Sequence, residues 1–438
     1  AVQYPDKTFG GEITITFRIE KGSSTQTENA ALRVAPWVHF THLDPTRKVY
    51  LVETGDNSAF IGEISTEATA AGVPPLEKAA GRYKDDRWLQ DAMEVGFSTL
   101  PKTKPKADWN LPVVLRTAND RMLIPAWRSP LDQYPKSEML GPGYGFTQAL
   151  PPMIGTSLDS FGNLECSPPF THSGTGKEYK FGRIVYGMDP VDPTRDMQAE
   201  VRDFLHAQQV QEPFWIDTGW LIVGHVDEVI SFCPMKNAPH KFKVLLASPK
   251  RAVDILTDLK SKGNGGAPLF QGIKMVAGGS AAGLAASYPR RTVNAILGDA
   301  ALMAAQTTAQ GHMGGIKTKI KTELGLSDSD FIDFPILFKE EGGRYVAYTP
   351  GSVNMLVLTK ADKTARMCIP KPFGPVVGGN CKFEEVIKSD LGPVGTTGVE
   401  PKFIDDFWTY HVAYGEIHCG TNSKRDPPTD RFWWEQKV

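Results

Sequence analysis

The chain has 438 residues, a formal net charge of −2 and 41% hydrophobic residues, enough for about three average domains or for one large propeller or barrel. Its charges are mixed with no basic tail, so nucleic acid is not expected as a partner, and no apolar run is long enough for a membrane-spanning helix. Five cysteines, at 166, 233, 368, 381 and 419, are odd in number and lack metal-ligand spacing, which fits a reducing, cytoplasmic compartment. Nothing in the pattern specifies an oligomeric state.

Residues 11–19 alternate apolar and polar side chains as a strand does. A Gly22-Ser23-Ser24 turn follows, and 30–34 return as a second strand. Two strands do not make a stable domain alone. Next, Asp85-Asp86-Arg87-Trp88-Leu89-Gln90-Asp91-Ala92-Met93-Glu94 sets carboxylates beside a tryptophan and a glutamine. Helical periodicity is predicted at 197–210 and 251–261, and strands at 241–247 and 353–358, which together make an α/β alternation. The Ala- and Gly-rich stretch 277–315 reads as partly helical with a surface loop. No internal repeat stands out.

Residues 220–232 read as one buried strand that carries polar side chains. In a strand, His225 and Asp227 would share a face, with Val226 and Glu228 on the other. An imidazole beside a carboxylate can move protons while its neighbour holds a cation, or it can be a core histidine satisfied by its own aspartate. Near the end of the chain, residues 410–418 look strand-like. They lead into Gly415-Glu416-Ile417-His418-Cys419-Gly420-Thr421-Asn422, which places a cysteine at a strand end before a turn. Such a cysteine is either a nucleophile or a small buried hydrophobe.

Asp-x-x-Trp-x-Gln-Asp-x-x-Glu at 85–94, Gly-His-Val-Asp-Glu at 224–228 and His-Cys-Gly-Thr-Asn at 418–422, in that order, resemble the catalytic domain of peptidylarginine deiminases. Residues 33–37, 158–165, 369–375 and Trp433-Trp434 add to the resemblance. It implies an α/β fold of five ββαβ modules around a pseudo-fivefold axis, the α/β-propeller or pentein fold, over 34–438. Residues 1–33 would then be the last hairpin of a preceding immunoglobulin-like domain. It also implies hydrolysis of peptidyl-arginine to peptidyl-citrulline. In that reaction Cys419 is the nucleophile, His225 the acid–base group, Asp91 and Asp227 the guanidinium-binding carboxylates, and Trp88 and Val223 line the aliphatic stem. Asn119 and Arg121 fall where relatives grip the peptide backbone of a protein substrate, although vertebrate members carry Arg-Asn-Arg where this chain has Asn119-Asp120-Arg121. Read without the family, Arg121 is a solvated surface arginine. Ala413 likewise stands where those relatives have an arginine.

A calcium ion is implied as cofactor, held by Gln90, Glu94 and Glu165 and by the backbone carbonyls of Phe161 and Leu164, all hard oxygen donors. Taken alone, Gln90 and Glu94 would be solvated polar residues on a helical turn. Ala92 and Arg116 replace acidic ligands of a neighbouring family site, and Gly143 replaces an aspartate of others, so one calcium is expected. Two other readings remain: a deiminase or amidinotransferase acting on a small guanidine such as free arginine or agmatine, and a calcium-binding protein without activity.

Overall fold

Five of the sheets repeat one pairing rule among the described residues, which are 12–73, 76–79, 83–100, 109–274 and 279–435 of the computed structural model. Each has a strand with an antiparallel neighbour on one side and a parallel neighbour on the other. These strands are Thr46–Val52, Trp109–Arg116, Ile184–Met188, Phe242–Ser248 and Ala365–Pro370. A parallel neighbour cannot be reached by a tight turn, so a crossover is needed. Helices Ser58–Ala70, Ala199–Ala207, Pro249–Ser261 and Lys382–Leu391 lie in four of these connections. The α/β alternation expected from the sequence is therefore present.

Each crossover helix buries one apolar set of residues in the core. Phe60, Ile61 and Ile64 of the first helix pack with Val49 and Leu51 of the Thr46–Val52 strand, and Tyr410 and Ile417 from the far end of the chain join the same core. The ends of the chain also share a sheet, since Thr421–Arg425 runs antiparallel to Thr46–Val52. Cys419 is thus anchored to the Thr46–Val52 strand by the strand that follows it.

Several expected elements fall close to their observed bounds. The helix predicted at 197–210 is Ala199–Ala207 and that at 251–261 is Pro249–Ser261. The strand predicted at 241–247 is Phe242–Ser248, and that at 353–358 is shorter, Leu356–Thr359. The 277–315 stretch contributes the helices Ala281–Ser287 and Val293–Leu297 and the first part of Ala300–Leu324; residues 277 and 278 lie outside the described residues. The N-terminal hairpin pairs Glu12–Lys21 with Ser24–Arg33 through a two-residue turn in which Gly22 has φ +61°, a left-handed value that suits glycine. It pairs with no further strand among the described residues, and its Ile15, Phe17 and Ile19 form one exposed face. Residues 1–11 of the expected remnant lie outside the described residues.

Two expected strands are corrected. Within 220–232 only Ile230 onward is strand, the element being Ile230–Pro234, while Val226–Glu228 is a 3-10 turn. Gly224 at φ +91° breaks the extended chain, and the Glu228 carboxylate accepts from the N–H groups of Gly224 and His225, which fastens the turn. The 410–418 segment is likewise not a strand. His411–Ala413 is a 3-10 turn and Tyr414 sits at φ +70°. The His411 ring is tied to Glu416 at 2.8 Å, so a side-chain contact within the segment overrides its β-type composition. Cys419 accordingly precedes a strand and does not follow one.

Candidate active site

Cys419 lies in the turn 417–420, closed by Gly420 N–H donating to the Ile417 carbonyl and Thr421 N–H to the His418 carbonyl. A Cβ on Gly420 would overlap the Tyr410 ring, so the turn needs glycine there. The thiol is 5% exposed and opens on a pocket of about 350 Å³. The backbone carbonyl of Cys419 accepts from Gln90 N–H at 3.2 Å, which docks the short helix Leu89–Ala92, and with it Asp91, beside the nucleophile.

Asp91, His225 and Cys419 all line this pocket, and Asp227 borders it through Sγ, which donates to Asp227 Oδ2 at 3.5 Å. The ring of His225 has a defined tautomer. Its Nε2 is 2.9 Å from the Ser157 carbonyl, which can only accept, so Nε2 carries the hydrogen and Nδ1 is left free. That Nδ1 is 3.9 Å from Asp91 Oδ1. Three buried acceptors therefore lack a protein partner: Asp91 Oδ1, Asp227 Oδ1 and His225 Nδ1. Burial pushes the Asp91 carboxyl up to about 6, while His225 and Arg121 pull it back. The Cys419 thiol is pushed well up by burial first and then by Asp227 and Asp91. Unpaired acceptors and crowded anions together call for a cation with several N–H donors.

Trp88 forms one wall, and its ring is so close to Gly415 that any Cβ there would overlap it. Val223 and Asn119 also line the pocket; the Asn119 Oδ1 accepts from Gly155 N–H at 3.2 Å. Ala413 lies at the mouth. Arg121 is buried, against the solvated surface reading. Its Nε and Nη2 donate to the Asp132 carboxylate, with the shortest contact at 2.6 Å; Nη1 donates to Asp86 at 3.2 Å and Nη2 to the Trp88 carbonyl at 3.3 Å. Most of its five N–H groups are thus committed to the protein, and it borders the pocket as a fixed guanidinium.

Gly162 is needed behind the histidine. A Cβ there would overlap His225 Nδ1 and lie 3.1 Å from Asp227 Oδ2. Gly162→Ala is therefore expected to displace the ring and lower kcat about 10²-fold, the order reached when a reacting group is misplaced by about 1 Å. Steady-state kinetics alongside a thermal melt would check this. A variant with native kcat would place the ring's working position elsewhere.

The expected metal ligands also converge. Gln90 Nε2 donates to Glu94 Oε2 at 2.5 Å and to the Phe161 carbonyl at 3.0 Å. Gln90, Glu94, Leu164 and Glu165 line one small cavity of about 30 Å³. Gln90 and Glu94 are buried and do not lie on a solvated helical turn; Gln90 is on the short helix and Glu94 on the strand Met93–Leu100. Burial pushes the Glu165 carboxyl up to about 8. No group of three His, Cys, Asp or Glu side chains suited to a metal occurs among the described residues. The donor set is two carboxylates, one backbone carbonyl seen in contact and one amide. The carboxylates and the carbonyl suit an oxygen-seeking ion such as calcium; Gln90 Oε1 accepts from Asn422 Nδ2 at 2.7 Å, so presenting that oxygen to an ion costs this bond. At the neighbouring position the Arg116 guanidinium, 1% exposed, donates to the Asp132 carbonyl at 2.7 Å, the Thr117 carbonyl at 2.9 Å and Asp120 Oδ2 at 2.8 Å. Beside Ala92 a tethered cation already satisfies those oxygens.

Two residues not singled out from the sequence belong to the site. His418 Nδ1 lies 2.8 Å from Asp227 Oδ2. Burial alone would lower its pKa, but Asp227, with Glu165 and Glu94 beyond, pushes it up to about 9. Its place next to Cys419 was the available signal. Asn354, whose side chain touches both His418 and Cys419, carried no such signal, being distant in the chain.

A family model for protein-arginine deiminase matches residues 24–435. Protein-arginine deiminase type-4 of Mus musculus is 36% identical over 445 residues, covering 98% of this chain and 61% of the relative. The type-4 protein of Homo sapiens is 36% identical over 446 residues, covering 99% and 61%, and the type-1 protein of Mus musculus 36% over 441 residues, covering 98% and 61%. The chain thus spans about 61% of the length of these curated relatives. Among solved structures, an agmatine deiminase of C. jejuni aligns with a TM-score of 0.48 at 9% identity, covering 91% of this chain and 99% of that one. With a match that runs through every segment contributing to the pocket, the chain belongs to the protein-arginine deiminase family.

Proposed function

We propose that the chain hydrolyses the guanidinium of arginine in proteins or peptides, giving peptidyl-citrulline and ammonia. The observation that carries this reading is the set of three unpaired buried acceptors, Asp91 Oδ1, Asp227 Oδ1 and His225 Nδ1, around a cysteine thiol. A planar guanidinium supplies directional N–H donors to both carboxylates and offers its carbon to sulfur. The thiol proton passes to His225 Nδ1, and the Cys419 thiolate attacks the guanidinium carbon to form a neutral tetrahedral adduct. His225 returns the proton to one amino group, the C–N bond breaks, and ammonia leaves a covalent thiouronium on Cys419. His225 then takes a proton from water, the hydroxide adds to the same carbon, and the C–S bond breaks with its electron pair returning to sulfur; the sulfur takes up the hydroxyl proton of the departing ureide and His225 releases its own to solvent, restoring thiol and imidazole. Thiol and imidazole titrate as a coupled pair. Trp88 and Val223 pack the aliphatic stem, and Asn119 and Arg121 stand where the peptide backbone would pass.

The preference for protein arginine over a small guanidine follows from the family's name and from these mouth residues. Calcium belongs to the same proposal, with Gln90, Glu94 and Glu165 and the carbonyls of Phe161 and Leu164 as its holders. A bound divalent charge would neutralise Glu94 and Glu165 and tie the Asp91 segment to the Phe161–Asn163 turn. The reading also takes the five sheets as modules of an α/β-propeller with residues 34–438 as the catalytic unit and 1–33 as the end of a preceding immunoglobulin-like domain; the shared pairing rule supports the first part. A cytoplasmic setting fits five cysteines that form no disulfide.

Ammonia release should be measured side by side from a blocked arginine peptide, free arginine and agmatine, each with calcium and with excess chelator. The peptide is expected to be the preferred substrate, and chelator to remove activity. Preference for agmatine or free arginine would reject the protein-substrate assignment. Full peptide turnover in chelator would reject the metal.

A further inference from the structure

Asn354 lies in the turn before the strand Leu356–Thr359 and is 1% exposed. Its amide makes three contacts with the nucleophile's turn. Oδ1 accepts from His418 N–H at 3.0 Å and from Cys419 N–H at 3.3 Å, while Nδ2 donates to Cys419 Sγ at 3.2 Å. The orientation of the amide is determined by these partners. Turned over, it would set its NH₂ against two backbone donors, so Nδ2 must face the sulfur. On another side the sulfur faces Asp227 Oδ2 at 3.5 Å. A neutral thiol fits both neighbours, donating to the carboxylate and accepting from Asn354. A thiolate fits only Asn354, because Asp227 then repels it.

The reaction proposed above requires sulfur to carry negative charge twice, once before the C–S bond forms and once when that bond breaks and its electron pair returns to sulfur. We propose that Asn354 is a catalytic residue whose Nδ2–H donates to Cys419 Sγ at both moments and makes the thiolate accessible in a site otherwise lined by carboxylates. This rests on the hydrolytic reading of Cys419. Asp227 is a like charge beside a thiolate, whereas Asn354 Nδ2 presents a hydrogen-bond donor to the same sulfur. Asn354 therefore has a second task beyond fastening the turn through Oδ1.

The two tasks separate in a pair of variants. Asn354→Ala removes donor and acceptor together, whereas Asn354→Asp keeps an acceptor for the two N–H groups and removes the donor. Each would be examined by near-ultraviolet circular dichroism, by alkylation of Cys419 with iodoacetamide across pH, located by mass spectrometry, and by kcat and KM on a blocked arginine peptide. Loss of a hydrogen bond to a charged atom displaces the alkylation profile upward by about one to two pH units, so the rate at pH 8 falls about 10- to 100-fold. The fall in kcat is on the order of 10²-fold with little change in KM, as for other single donors to a developing anion. Asn354→Asp is expected to be no better than Asn354→Ala. The proposal is overturned if the alanine variant keeps the wild-type alkylation profile, or if the aspartate variant recovers activity over alanine, since a residue that only fastens the turn would do so. Should the alanine variant fail to fold, the aspartate variant decides by its kcat, and wild-type turnover there overturns the donor role. The alkylation arm needs no arginine substrate. A displaced profile in a protein that releases no ammonia from any guanidine overturns the hydrolytic reading and leaves the donor contact standing.

Discussion

Cys419→Ser is expected to remove citrulline formation, by on the order of 10⁴–10⁶-fold as when other hydrolases lose their nucleophile, while the fold and the binding of a guanidinium persist. An alcohol occupies nearly the volume of the thiol but is many units less acidic, so His225 can draw far less nucleophile from it near neutral pH. The serine would still accept from Asn354 and donate to Asp227, so the turn 417–420 and its strand Thr421–Arg425 keep their contacts. Asp91 and Asp227, the carboxylates proposed to attract the guanidinium, are untouched. A colorimetric citrulline assay, with calorimetric binding of a blocked arginine peptide, would check both halves. Residual activity within tenfold of wild type would remove Cys419 from the chemistry.

Asp227→Asn is the second large effect. Asp227 has a buried, unpaired Oδ1 and holds His418 through Oδ2 at 2.8 Å. Exchanging the carboxylate for an amide forfeits charge-assisted hydrogen bonds worth about 1.5–3 kcal/mol each, so two of them correspond to roughly 10²–10⁴-fold in kcat/KM. Wild-type kinetics in this variant would exclude Asp227 from guanidinium binding. The same substitution alters stability with a definite pH dependence. The folded pKa of His418, about 9, lies above its ordinary 6.5, so the pair's stabilisation is fully present below pH 6.5 and is lost as pH rises through 9. The gap in Tm between wild type and Asp227→Asn should thus be widest near pH 6 and narrow by pH 10. A gap that is constant across that range would mean that His418 does not gain a proton-linked partner in Asp227.

What could be read in advance was chemical identity more than geometry. Cys419, His225, Asp91 and Asp227 stand out because nucleophile, imidazole and carboxylates occur in short motifs; the first three line one pocket and Asp227 touches the Cys419 sulfur beside it. The residues at 90–94 and 161–165 stood out as proposed calcium holders only through the family resemblance, since taken alone Gln90 and Glu94 read as solvated polar side chains. Helices 199–207 and 249–261 were legible from apolar periodicity, because each packs one stripe on a sheet.

Other features were decided only by the tertiary structure. His225 and Asp227 point into one site through a turn with Gly224 at φ +91° and Glu228 as its cap, where strand alternation had suggested a different cause for the same nearness. Periodicity cannot register one positive φ or one side-chain cap, and either is enough to end a strand. Arg121 was expected at the surface or free for substrate, yet Asp86 and Asp132, far apart in the chain, bury it and take most of its donors. Asn354 has no motif around it, since its meaning lies in contact with a sulfur 65 residues away. By itself the sequence determined which groups can react, because reactivity belongs to residue types. Their partners, exposure and charge balance were decided by segments that meet only in the folded chain, because hydrogen bonds and desolvation act through space and not along the chain.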